Sequence, residues 1–332
     1  MTRYAAIAPG RVNLIGDHTD YTGGLVFPMA INRYTTIAFD IDERGIELTS
    51  ADEPGVVALG TDADTHEVVP SWGRYIRAVR DLVPDARGII GNITTDIPVG
   101  AGLSSSAALE VATALALGFR GSDTELAQLA RAAEHAATGV PCGIMDQLCI
   151  AAAHHGHATQ IDCNTLEITH VPIPDDVKIV VRFIAHRTLE GSEYADRVRE
   201  CAEAESVIGP LHAALMSDVD AIENTVIRNR ALHVVSENAR VREFADALVR
   251  GNYNNAGELM TLSHRSLASH FNTSNEVMDA AVNELLRTPG VYGARMTGGG
   301  FGGCVVALCS PDVNVDGWHV QPVGKARIDV LD

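Results

Sequence analysis

The sequence lacks any apolar run long enough to cross a membrane: its most apolar helical stretch, "SSSAALEVATALALGF", is interrupted by Glu110, whereas a span needs about 18 uninterrupted apolar residues. The opening "MTRYAAIAPGR" carries no secretory h-region. The six cysteines, Cys142, Cys149, Cys163, Cys201, Cys304 and Cys309, sit in apolar contexts without a CxxC pair, which argues against a disulfide framework and predicts buried, reduced thiols. A cytoplasmic location is the expectation. Positive charge is scarce too: 25 Lys and Arg face 43 Asp and Glu, a formal net charge of −18. Nucleic acids and anionic membranes reward cationic surfaces, so neither is an expected partner. An anionic ligand would need a locally positive pocket, made by backbone amides, one arginine or a metal. The "HHGH" run at 154–157 has no Cys or carboxylate at a usual ligand spacing, so a zinc site is not expected.

What is present is a globular composition, 46% apolar and 20% charged over 332 residues, a length that suggests two domains. Runs at 34–41, 87–97, 156–163, 178–185 and 303–309 read as strands. Helical patterns cover 104–119 and 124–138. Two more follow, one from a Ser236 cap to a Gly251 stop and one from a Ser274 cap through Leu285. Strands and helices mix without strict alternation, which favours an α+β fold over a doubly wound sheet. "HVPIPDDV" (170–177) marks a junction between domains at 1–175 and 176–332.

In "PVGAGLSSSAALEVATAL" (98–115) a strand ends, glycines follow, three serines come next and a strong helix begins. Gly100 and Gly102 allow a tight turn and close approach to a ligand. Free N–H groups at the helix start make an anion site suited to phosphates. A single cap would need one serine, not three with two glycines. The pattern is neither GxxxxGK[ST] nor GxGxxG, because Ser105 stands where the latter wants its third glycine. No lysine lies in the loop, so another cation must neutralise the phosphates; magnesium held by a serine hydroxyl and a carboxylate would serve. Glu134 lies on the following helix and Asp146 twelve residues later. Near the start, "GRVNLIGDHTDY" (10–21) sets Arg11 and then Asp17, His18, Asp20 and Tyr21 close together. Alone, such a cluster would read as a capping turn.

Three stretches in order, "PGRVNLIGDHTDYTGG", "GAGLSSSAALE" and "MTGGGFGGC" (296–304), resemble the signatures of the GHMP kinases. "HTDY", "GVPCGIMDQ" and "GSEYADR" are similar to segments of the galactokinase branch. The resemblance implies a two-domain α+β GHMP kinase fold, with an N-terminal mixed-sheet nucleotide-binding domain and a C-terminal ferredoxin-like domain. It implies an ATP-dependent sugar 1-kinase acting on galactose or a close analogue. By position it makes Asp146 the catalytic aspartate and Arg11 its partner. Gly100, Ala101, Gly102, Leu103, Ser104, Ser105 and Ser106 become the ATP-phosphate loop, and Ser106 with Glu134 the Mg²⁺ ligands. Asp17, His18, Thr19, Asp20, Gly143 and Tyr194 become the sugar contacts. Carboxylates and an imidazole suit a neutral polyol, because each carboxylate oxygen accepts hydrogen bonds from neighbouring hydroxyls. A guanidinium beside a carboxylate weakens it as a base, so positioning and charge stabilisation would supply most of the rate of a loose phosphoryl transfer.

The sequence departs from the branch pattern in three places. Asp17 replaces the usual glutamate of "GEHTDY" and retracts the carboxylate by about one C–C bond; this would relax selectivity near the 6-hydroxyl. The usual "RH" is inverted as His186 and Arg187. The segment after 309 passes through "SPDVNVDGWHVQP" without room for the usual helix, which would leave an apolar sheet face to be covered by a partner subunit or by remodelling. Monomer and homodimer stay open. Two alternative readings are a non-catalytic ATP- and sugar-binding sensor and a kinase for another monosaccharide such as an N-acetylhexosamine.

Overall fold

A computed structural model describes residues 2–60, 69–186 and 193–331; Arg187 and Ser192 lie outside the described residues. The strands are β1 (Arg3–Asn13), β2 (Leu25–Val26), β3 (Pro28–Ile41), β4 (Ile46–Ser50), β5 (Val56–Leu59), β6 (Ile89–Thr95), β7 (His157–Asp162), β8 (Ile168–Pro172), β9 (Lys178–Ala185), β10 (Val291–Thr297), β11 (Gly303–Cys309), β12 (Trp318–Val320) and β13 (Arg327–Leu331). The helices are α1 (Gly73–Leu82), α2 (Ser105–Ala116), α3 (Asp123–Thr138), α4 (Met145–Ala152), α5 (Tyr194–Ile208), α6 (Met216–Val219), α7 (Thr225–Val249), α8 (Tyr253–Ser266) and α9 (Glu276–Leu286).

A six-stranded sheet has the order β13-β1-β3-β6-β4-β5. Its pairs are antiparallel except β4 with β6, so the sheet is mixed. Along β3, Thr35, Ile37 and Phe39 alternate inward, as a pleat with one buried face requires. The register between β1 and β3 shifts at Pro9/Gly10. Such an irregularity twists a strand and re-aims the side chain that follows it, which here is Arg11. The alanines of α2 pack at zero or near-zero exposure, so the helix lies close against β1 and β3.

The second sheet runs β10-β11-β9-β12, antiparallel throughout. Counting from β9, that is the order 2-3-1-4 of a ferredoxin-like sheet. The connection from β11 to β12 contains no helix, as the sequence led us to expect. The sheet face is covered by remodelling within the chain, one of the two outcomes expected for it. All seven residues of β11 are buried, and Val313 and Val315 of the short connection pack with Val180, Ala307 and Cys309. The segment substitutes its own valines for the missing helix.

Two helix starts differ from the sequence reading. α7 begins eleven residues before Ser236, where Asn224 Oδ1 accepts the N–H groups of Val226 (2.9 Å) and Ile227 (3.4 Å). Ser236 sits mid-helix, its hydroxyl donating to the Leu232 carbonyl at 2.6 Å, an i−4 bond open to serine within a helix. α9 is capped by Asn275, and Ser274 instead donates to Asp279. Gly251 does stop the helix, with φ 68°.

Candidate active site

β1 delivers Arg11, 3% exposed, to the foot of the glycine-serine loop. Its Nε and Nη2 donate to the two carboxylate oxygens of Asp146 at 2.7 and 2.6 Å, and Nη1 donates to the Gly102 carbonyl at 2.7 Å. This bidentate pair fixes the carboxylate plane as well as its place. Asp146 lies in the first turn of α4. Ser104 donates to the same carboxylate at 2.5 Å. To do so it takes a left-handed φ of 64° and makes no cap bond to α2, a strained conformation for a non-glycine residue. The three serines therefore divide their work: Ser104 joins the aspartate, Ser105 opens the helix, and Ser106 bonds Glu134.

The "DHTDY" segment forms the other wall. His18, also left-handed at φ 64°, is caged by Tyr21, Tyr194 and Phe271 at ring separations of 5.8, 5.4 and 4.8 Å. Its Nδ1 lies 3.0 Å from the Tyr21 hydroxyl. Tyr194 arrives from the start of α5. Burial first, and then the charge of Asp146, push the Asp20 carboxyl up to about 7. A Cβ on Gly143 would come within 2.0 Å of Asp20 Oδ2, so only glycine lets that carboxylate pass. Asp17 reaches the cleft, but one carboxylate oxygen accepts the Gly298 N–H at 2.8 Å and the other lies 2.5 Å from Arg295 Nη2.

One cleft of about 320 Å³ gathers Arg11, Asp17, His18, Asp20, Gly143, Asp146 and Tyr194 with Gly100, Gly102, Ser104, Ser105, Ser106 and Glu134. Three residues expected there do not line it. Thr19 is fully buried, its hydroxyl donating to the carbonyls of Gly16 (2.9 Å) and Leu25 (2.7 Å). Ala101 and Leu103 turn into the apolar core and contribute backbone only. Their side chains offer nothing to a phosphate, and the cleft is lined instead by Gly100, Gly102 and the three serines.

Residues 2–41 match the galactokinase galactose-binding signature, 73–156 the GHMP kinase N-terminal domain and 244–316 the GHMP kinase C-terminal domain. Human galactokinase is 39% identical over 92% of this chain and 83% of its own length, and that of Chloroflexus aggregans is 41% identical over 91% and 83%. The chain belongs to the GHMP kinase family. A solved structure of Lactococcus lactis galactokinase complexed with galactose superposes with a TM-score of 0.90 at 30% identity, covering 98% of this chain and 95% of that one.

A GHMP kinase uses ATP, and the described residues offer its phosphates more than the loop. Arg74 and Tyr75 of α1 line the same cleft, as do Val99, Thr138 and Val140. Sequence reading missed α1 altogether; its only signal was an amphipathic "GRYIRAVRDL" with no motif. Arg74 thus places a guanidinium in a cleft whose loop has no lysine. Glu110 was missed too. Fully buried on α2, it is held far above the ordinary carboxyl range, by burial first and then by Glu134, to which a side-chain hydrogen bond joins it. Burial also raises Glu134, against the hydrogen bonds from Glu110 and Ser106. Among the described residues no three His, Cys, Asp or Glu are grouped to hold a metal. Mg²⁺ bound through a nucleotide needs only one or two protein oxygens, and a hydroxyl beside a carboxylate fits that demand.

Proposed function

We propose that this cleft transfers the γ-phosphoryl group of ATP to the anomeric hydroxyl of galactose. The observation that carries the reading is the Asp146 carboxylate, gripped by Arg11 and Ser104 where the phosphate loop meets the "DHTDY" wall. The sugar 1-oxygen forms a bond to the γ-phosphorus as the bridging bond to ADP breaks, and its proton passes to Asp146. Arg11, joined to the loop through the Gly102 carbonyl, counters charge on the moving phosphoryl group. Ser106 and Glu134 would hold Mg²⁺, which when bound neutralises phosphate charge. Asp20, His18 and Tyr194 orient the sugar by hydrogen bonds and an apolar wall.

The parts divide into domains at 1–175 and 176–332, with the segment around 322–331 returning to the first sheet. ATP and a free sugar are the partners, without nucleic acid or membrane. Free thiols throughout the described residues suit a reducing cytoplasm.

A coupled ADP-release assay over free hexoses, N-acetylhexosamines, uronic acids and pentoses tests the reading: galactose is expected to give the highest kcat/KM. Binding of both ligands without ADP release would favour a sensor instead. Replacing Asp146 by Asn should lower kcat by about 10²- to 10⁴-fold while galactose binding stays measurable by calorimetry.

A further inference from the structure

The segment 14–27 that forms the "DHTDY" wall makes few strand bonds of its own, and side chains from distant elements hold its backbone. On α7, Glu237 Oε1 accepts the Gly16 N–H at 3.0 Å and Asn238 Oδ1 the Leu25 N–H at 2.8 Å. His233 Nε2 lies 3.1 Å from the Asp17 carbonyl, and its Nδ1 lies 2.8 Å from Ser266 Oγ. From β10, Arg295 Nη1 donates to the Asn13 carbonyl at 3.3 Å while Nη2 meets Asp17. Thr297 donates to the same Asn13 carbonyl at 2.8 Å. Glu237 is in turn held by Arg240 at 2.6 Å and by the Ser263 hydroxyl. Arg295, His233 and Glu237 are fully buried and Asp17 is 1% exposed.

Burying a carboxylate and a guanidinium together costs desolvation that their attraction repays only in good geometry, and removing one partner leaves the other charge stranded. A side chain of this kind is poorly placed to trade partners with a ligand. One Asp17 carboxylate oxygen accepts the Gly298 N–H in the 296–304 motif, and the other is ion-paired with Arg295.

We propose that Asp17 is a positioning residue rather than a sugar ligand, and that with Arg295, His233, Glu237 and Asn238 it clamps the sugar wall against α7 and the third motif. This rests on reading residues 17–20 as the sugar side of the cleft. The clamp sets where His18 and Asp20 stand, and the aspartate's short side chain suits the reach to Arg295.

The test compares wild type with Asp17→Asn, Arg295→Met and the double variant on galactose and 6-deoxygalactose. Asp17→Asn is expected to lower kcat/KM about 10- to 100-fold, the loss of one charge-assisted contact, by a similar factor for both sugars. The double variant should be less impaired than the product of the singles, because the stranded charge is gone. Loss confined to galactose, erasing discrimination against the deoxy sugar, would make Asp17 a direct hydroxyl ligand and overturn the proposal. Independently of turnover, hydrogen exchange at the Gly16 and Leu25 amides should quicken about tenfold in Glu237→Ala and Asn238→Ala respectively, as a protecting bond worth about 1.4 kcal/mol is lost; unchanged exchange would overturn the clamp. Wild type that ignores galactose but shows the exchange result would overturn the assigned function and leave the clamp standing.

Discussion

At the scale of single residues, the chemistry turns on carboxylates that share one small space yet differ in environment. Asp146 is pinned by Arg11 and Ser104, whereas Asp20 sits half-buried beside it with its carboxyl pushed up to about 7. Only the ionised form of Asp20 accepts hydrogen bonds from two sugar hydroxyls at once. We therefore expect kcat/KM for galactose to rise between about pH 6 and pH 8, since that ratio reports free-enzyme ionisations. Asp20→Asn should flatten the profile; a profile unchanged by that substitution would count against the assignment. The stability effect runs the opposite way. The folded value lies above the unfolded one, so the protonated form favours the folded state and stability falls as pH rises through about 7. These residues entered the candidate pocket through the resemblance of the motifs taken together, since alone the cluster would read as a capping turn. Thr19 was misread because the same crowding gives no hint of which member turns inward to brace the loop.

At the scale of elements, the sequence revealed strands better than helix starts. The runs at 34–41 and 178–185 fall inside β3 and β9 because β-branched and aromatic residues there satisfy both local preference and burial. α7 hid its first eleven residues because "TVIRNRALHVV" carries charges amid its apolar positions, and Ser236 offered a tempting but wrong cap. The two candidate caps can be separated by urea unfolding. Asn224→Ala should cost about 1 kcal/mol through the lost cap, and Ser236→Ala should change stability by less than about 0.5 kcal/mol. Equal effects would mean that Asn224 is no true cap. α1 escaped notice for a related reason: it carries Arg74 and Tyr75 into the cleft without any spacing that distinguishes a ligand-facing helix from an ordinary amphipathic one.

At the scale of the whole molecule, buried histidines and a long return segment bind the parts together. His233 and His264 are held to about 4, chiefly by burial, with Arg240 and Arg295 near the first and Arg295 and Arg265 near the second. Both folded values lie below the ordinary 6.5, so the unfolded chain takes up more protons between about pH 6.5 and pH 4. Each imidazole's contribution to stability should fall across that window as pH drops, by up to about 1.4 kcal/mol per pH unit, against the opposite trend from Asp20. Thermal midpoints followed from pH 7 to pH 4 check this, and His233→Gln should lessen the slope. The return segment was invisible in the sequence, since nothing in "QPVGKARIDVL" says where it will lie. It crosses the end of α4, where Lys325 and Ala326 donate their N–H groups to the carbonyls of Ala153 (3.0 Å) and Ile150 (2.9 Å), and then pairs as β13 with β1. These bonds satisfy carbonyls that a helix end leaves open. A chain cut after Gln321 should show both a lower urea midpoint and a larger loss of turnover than its folded fraction explains.

That return segment also sets an order of events during synthesis. Every signature motif has been synthesised by residue 304, yet the helix bearing Asp146 is tied off, and the outer flank of the strand bearing Arg11 covered, only by amino acids added some twenty positions later. A product truncated before residue 322 would thus carry every recognisable motif yet lack the bonds that close α4 and the strand that flanks β1.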